Sequence, residues 1–174
     1  MPVYGIEEVS TMLYDAVTLG ATVLQAILFQ DPLGSGGKTL YDTNMRASGC
    51  LPLPESFKIH VIRFSMLPDA AITDVIAMMK GTLTVNVGHK KYHTVPLFLL
   101  SAGGGLSLQH EEAGAGTFGY GAFGFPSATN LYVLIDPIEI GQNESFRVEL
   151  NWPVAPGAKQ LWVGLEGLHT RGTQ

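Results

Sequence analysis

Phe57-Lys58-Ile59-His60-Val61-Ile62-Arg63-Phe64-Ser65-Met66 changes phase in its middle. Phe57, Ile59 and Val61 point one way and Lys58 and His60 the other, the period-two alternation of a strand with one buried face. From Ile62 onward the apolar set is Ile62, Phe64 and Met66. A slip of one residue moves every later side chain to the opposite face. The strand therefore needs a bulge, or a passage from one sheet to another, devices that sandwich and jelly-roll domains use at their corners. The stretch sits inside a longer unit from Thr43 to Met79: an extended Thr43-Asn44-Met45 lead-in, a turn through Gly49, Pro52 and Pro54, the strand, then a helix. In that helix Ile72, Val75, Ile76 and Met79 recur at i, i+3, i+4 and i+7, Pro68 suits the first turn, and Gly81 ends it. Between two strands such a helix caps one open end of a sandwich.

The flanking sequence is strand-rich. Ser145 to Trp152 alternates, with Phe146, Val148, Leu150 and Trp152 against Arg147, Glu149 and Asn151. Thr82 to Val87 alternates with Leu83, Val85 and Val87 on one face. It turns through Gly88-His89-Lys90-Lys91 and returns along Tyr92 to Leu100, with Pro96 marking the return strand as an edge. Leu131 to Ile135 and Gln160 to Leu168 read as further strands, and Ala21 to Gln30 as a strand buried on both faces. Residues 1–19 are open between a short helix capped by Ser10 and an extended arm. Thr39 to Thr43 reads as extended. Gly103 to Gly124 is too glycine-rich for a sheet interior. It reads as a long surface excursion that carries Phe118, Tyr120 and Phe123, with Phe125 just beyond it. The sum is an all-β chain of about eight strands with one short helix, a single jelly-roll barrel or sandwich over residues 1–174, without linker or repeat.

Composition narrows the partners. Only 14% of residues are charged and the formal net charge is -5. Nothing in that balance favours nucleic acid or an anionic membrane surface. An ordinary soluble surface carries roughly a quarter to a third charged residues, so the low fraction predicts contact surfaces buried against other chains. The aromatics Phe118, Tyr120, Phe123 and Phe125, on a glycine-rich backbone, are the candidate assembly residues, and a homodimer is expected. One cysteine, Cys50, excludes an internal disulfide framework and is expected to be a small buried apolar residue. No apolar run reaches membrane-spanning length, and the N-terminal stretch lacks the pattern of a signal peptide, so synthesis and folding inside a cell are expected.

A search for reactive chemistry finds little. Gly34-Ser35-Gly36-Gly37-Lys38-Thr39 resembles a phosphate-binding loop, but Pro32 stands where the first glycine belongs, and no helical period follows. His89 and His93 lie on a turn and so do not share a helix face as a zinc pair must. His110-Glu111-Glu112 lacks the second histidine of a metalloprotease motif, and no Gly-x-Ser-x-Gly elbow occurs. The chain is expected to be no enzyme, with no catalytic residue, no cofactor and no metal. Two alternatives remain open: a carbohydrate-binding jelly-roll module with Trp152, Trp162 or the aromatic loop as a sugar platform, and a metal-dependent jelly-roll enzyme using some of the five histidines. Trp152 shares a face with Phe146, Val148 and Leu150, which places it in the core.

The Thr43-Asn44-Met45 lead-in, the Gly49-x-Leu51-Pro52 turn and the strand from Phe57 resemble virion proteins of tailless phages. So does the ending: Ile138-x-Ile140, Phe146-x-Val148-x-Leu150, Leu161-x-Val163 and Leu165-x-Gly167, with Arg171 beyond. In size and strand order the whole chain is similar to the smaller major capsid protein of icosahedral, internal-membrane phages of Thermus. The resemblance implies a single jelly roll standing upright on the capsid surface, located in the virion after assembly in the host cytoplasm. It also implies a second, larger jelly-roll capsid protein as partner and a lipid membrane beneath the shell. It carries over no catalytic residue.

Overall fold

The structure, a computed structural model, describes residues 5–66, 72–100, 107–111, 118–122 and 132–172. Its elements in chain order are β1 (Ile6–Thr18), β2 (Gln25–Leu28), β3 (Ser56–Met66), α1 (Ile72–Met79), β4 (Thr82–Val87), β5 (Lys90–Pro96), β6 (Ser107–Glu111), β7 (Phe118–Ala122), β8 (Val133–Ile140), β9 (Phe146–Asn151) and β10 (Gln160–Gly172). Two four-stranded sheets run β1-β10-β3-β8 and β2-β9-β4-β5, and β6 and β7 form a separate two-stranded ribbon. Within the two main sheets the pairs are nested. The first strand pairs with the last, β2 with β9, β3 with β8, and β4 with β5, all antiparallel. This is one long hairpin folded over on itself, closed by the β10–β3 and β4–β9 ladders. It is the winding of a jelly roll, and it bears out the all-β expectation.

The phase slip in β3 is a bulge. Ile59 pairs with Gly167 and Ile138, Val61 with Glu166 and Val133, and His60 falls outside both ladders. On either side of it Phe57, Ile59, Ile62, Phe64 and Met66 are all buried. Gly167 is required opposite the bulge, since a Cβ there would lie 1.7 Å from the Lys58 carbonyl oxygen. The core lies between the sheets and joins these residues to Leu83, Val85 and Val87 of β4, Phe146, Val148 and Leu150 of β9, and Leu161, Val163 and Leu165 of β10. Helix α1 seals it with Val75, Met78 and Met79, and the buried Trp152 indole donates to the Met78 carbonyl at 3.0 Å.

Several boundaries differ from the sequence expectation. The Ala21–Gln30 strand shrinks to β2, with Ile27 and Leu24 exposed, so it is not buried on both faces. Phe29 ends it: its backbone turns to φ 68, its N–H donates to Asp15 Oδ2, and its ring packs against Phe146 at 5.5 Å. Residues 6–18 are a long strand, not a helix. Thr39–Thr43 is a turn, closed by the Asp42 and Thr43 N–H groups on the Thr39 carbonyl. On α1, Ile76 is exposed and Met78 takes its place in the core. The return strand stops at Pro96, on the sheet edge as expected, and Leu97–Leu100 coil into a 3-10 turn. The glycine-rich excursion contains regular pairing, β6 with β7, from Ser107↔Ala122 to Glu111↔Phe118.

Candidate functional site

Some of the residues that suggested chemistry are engaged in structure. Lys38, the lysine of the phosphate-loop-like stretch, reaches Asp15 Oδ1 at 2.7 Å. The preceding Ser35–Gly37 is a 3-10 turn with Gly34, Gly36 and Gly37 at positive φ, and no α-helix follows it. His93 Nε2 lies 2.8 Å from the Tyr132 hydroxyl and His169 Nε2 lies 3.1 Å from Glu55 Oε2, while His89 is exposed in the β4–β5 turn. His60 Nε2, in the β3 bulge, is buried without a hydrogen-bond partner. His110 lies on β6, opposite Gly119. Among the described residues no three of His, Cys, Asp and Glu gather as a metal would need.

Three surface features remain. The first is an apolar groove of about 400 Å³ on the outer face of the β1-β10-β3 sheet, lined by Met12, Tyr14, Leu40, Tyr41, Phe64 and Trp162 among others. Several of its polar groups are engaged: Tyr14 Oη donates to the Leu40 carbonyl, Trp162 Nε1 to the Tyr41 carbonyl, and Arg63 to both oxygens of Glu166. Tyr41 and Trp162 meet edge to face at 84°, so they present no flat pair for a sugar ring. Trp152 is in the core, as its alternation indicated.

The second is a polar cavity of about 160 Å³ where Cys50, Arg46, Glu55 and His169 converge. Glu55 is buried and divides its oxygens between Arg46 and His169. Cys50 is half-buried rather than buried, and its backbone bridges to Ser145. The turn through Pro52 and Pro54 delivers Glu55, and the far end of β10 delivers His169. No local motif joins residues so far apart in sequence.

The third is a protrusion. Opposite the single residue His60, β8 carries Leu134 to Pro137 between its paired residues Val133 and Ile138. Ile135 at its tip is 98% exposed and Val133 58%. Of the four aromatics expected to drive assembly, Phe118 and Tyr120 lie on β7, whose ribbon sits beside α1. Phe123 and Phe125 lie outside the described residues, so these four are not brought together as a described site. No helix among the described residues is long and apolar enough to cross a membrane. No protein-family model, curated protein or solved structure matches the chain.

Proposed function

We propose that this chain is a structural protein of a virion shell: a non-catalytic single jelly roll that stands upright, associates with itself, and packs beside a second, larger jelly-roll capsid protein over an internal membrane. The observation that carries the reading is the nested strand order, with sheets β1-β10-β3-β8 and β2-β9-β4-β5. It agrees with the winding implied by the resemblance of the Thr43–Met66 and Ile138–Arg171 stretches to phage capsid proteins. Two further features support it. Charged residues are few, and large apolar side chains stand exposed on several elements, among them Ile6, Leu40, Tyr41, Phe98, Val133 and Ile135. Such side chains, spread over several sides of one small molecule, suit a subunit with many neighbours.

The test is electron microscopy of the purified chain, alone and mixed with the structural proteins encoded beside it. Regular sheets, capsomers or closed shells are the expected outcome for the mixture. A mixture that stays dispersed at high concentration, from proteins shown to be folded, would remove the virion reading.

A further inference from the structure

We propose that the N-terminal half of β1 pairs edge to edge with the same segment of a second copy, antiparallel about a two-fold axis at Val9. The inference deepens the self-association of the reading above, but its test needs this chain alone.

One side of β1 is fully used, since residues 6 to 18 each have a partner on β10. The other side changes along its length. At its upper end Tyr14 N–H donates to Asn44 Oδ1 (2.9 Å), Asn44 N–H and Thr43 Oγ1 donate to the Tyr14 carbonyl, and Asn44 Nδ2 donates to the Met12 carbonyl (2.8 Å). The Asn44 side chain thus acts as a short mock strand. It also shows which peptide groups face away from β10: those of even-numbered residues. By the same alternation the N–H and C=O groups of Ile6, Glu8 and Ser10 face outward, and among the described residues nothing pairs with them.

An open edge of this kind is a template for another strand, and proteins commonly blunt it with charged side chains, proline or a bulge. In its free half β1 carries only the charges of Glu7, which pairs with Arg171, and Glu8: its sequence IEEVSTMLYDAVT has no proline or lysine, and its register with β10 runs without a break. Ile6 is 76% exposed and Glu8, Ser10 and Thr11 are also exposed.

Charge chooses the register. In an antiparallel self-pair, outward-facing residues must oppose outward-facing residues, which leaves Glu8 opposite Glu8 or Val9 opposite Val9 near the middle of the free stretch. The first sets two carboxylates against each other, and like charges directly opposite are destabilising. The second sets Glu8 opposite Ser10, Glu7 opposite Thr11 and Val9 on the axis, and each Glu8–Ser10 rung exchanges a pair of peptide hydrogen bonds. Asn44 ends the ladder by holding the Met12 carbonyl. The contact is isologous, and it joins the two β1-containing sheets into one continuous sheet across the dimer.

The experiment is sedimentation equilibrium of wild type, Ser10→Lys, Ser10→Glu and Glu8→Gln at low salt and at about 0.5 M salt, where the Debye length is only a few ångströms. By symmetry each Ser10 change acts twice. Ser10→Lys is expected to lower the dimer dissociation constant about three- to tenfold and Ser10→Glu to raise it by a similar factor, given the usual worth of cross-strand charge pairs. Both are expected to approach wild type at high salt, with thermal unfolding of dilute samples unchanged. Glu8→Gln is expected to change little. Tightening by Glu8→Gln with no response at Ser10 would overturn the register. A wild type that remains monomeric at every concentration, or a dimer indifferent to all three changes, would overturn the edge contact. Because no other protein is present, these results are separate from whether a shell forms.

Discussion

Asp15 is a charged side chain without solvent exposure, and it is bonded by the Lys38 ammonium and the Phe29 N–H. Removing one partner of such a pair leaves an uncompensated buried charge. Lys38→Met should therefore cost about 3 kcal/mol in denaturant unfolding. Asp15→Asn combined with Lys38→Met should recover part of that loss, because the amide keeps an acceptor for Phe29 without the charge. Gly167→Ala should be at least as damaging, about 3 kcal/mol, since the new methyl meets backbone rather than a movable side chain. Asp42 behaves differently. The Thr39 N–H, then the Thr39 hydroxyl, hold its carboxyl below its ordinary value of 3.8. A depressed carboxylate contributes stability that is present above the unfolded value and lost as pH falls through the folded one. The Thr39 amide resonance should then titrate with a midpoint below 3.8, and that titration should vanish in Asp42→Asn. The misfit of Gly34–Thr39 to a phosphate loop was legible from Pro32 and the missing helix. That Lys38 serves Asp15 was not, because the two meet only after β1 and the loop fold together.

Among elements, β3 and β9 are the most readable because each packs one face on the core along its whole length. Their alternation maps directly onto burial, and the β3 bulge is visible as a phase slip. Val148, fully buried on β9, gives the corresponding prediction: Val148→Ala should lower unfolding stability by about 1–3 kcal/mol through lost transfer and a residual cavity. β1 is less readable because its first half, Ile6 to Met12, extends past the core and is largely exposed on both faces, so no period is imposed on it. β2 was overextended for the opposite reason. The run from Ala21 to Gln30 is mostly apolar, yet Phe29 leaves the extended conformation to bury its ring, and composition carries no trace of that turn. The β6–β7 ribbon defeats propensity arguments as well, since glycine is poor in strands but a local antiparallel pair tolerates it. The candidate surfaces were the least legible part: the groove, the Glu55 cavity and the β8 protrusion each combine segments from distant parts of the chain.

At the scale of the molecule, both main sheets and α1 contribute to one continuous core. Unfolding should therefore be a single cooperative transition, with calorimetric and van't Hoff enthalpies in agreement. Two resolved transitions would mean that one sheet survives without the other. The single-chain jelly roll was legible because short alternating segments recur between Gly and Pro turns. The nested pairing itself was not, since it is a relation between strands at opposite ends of the sequence. That relation also sets a timetable for biosynthesis. β10 stands between β1 and β3, so β1 has no strand beside it in its sheet until β10 emerges from the ribosome. β2, β4, β5 and β9 can associate earlier, and β3 can pair with β8, while β1 waits without a strand on either side. A nascent chain stalled before Gln160 should therefore be protease-sensitive throughout β1 and should need chaperone cover, however well its other strands have paired.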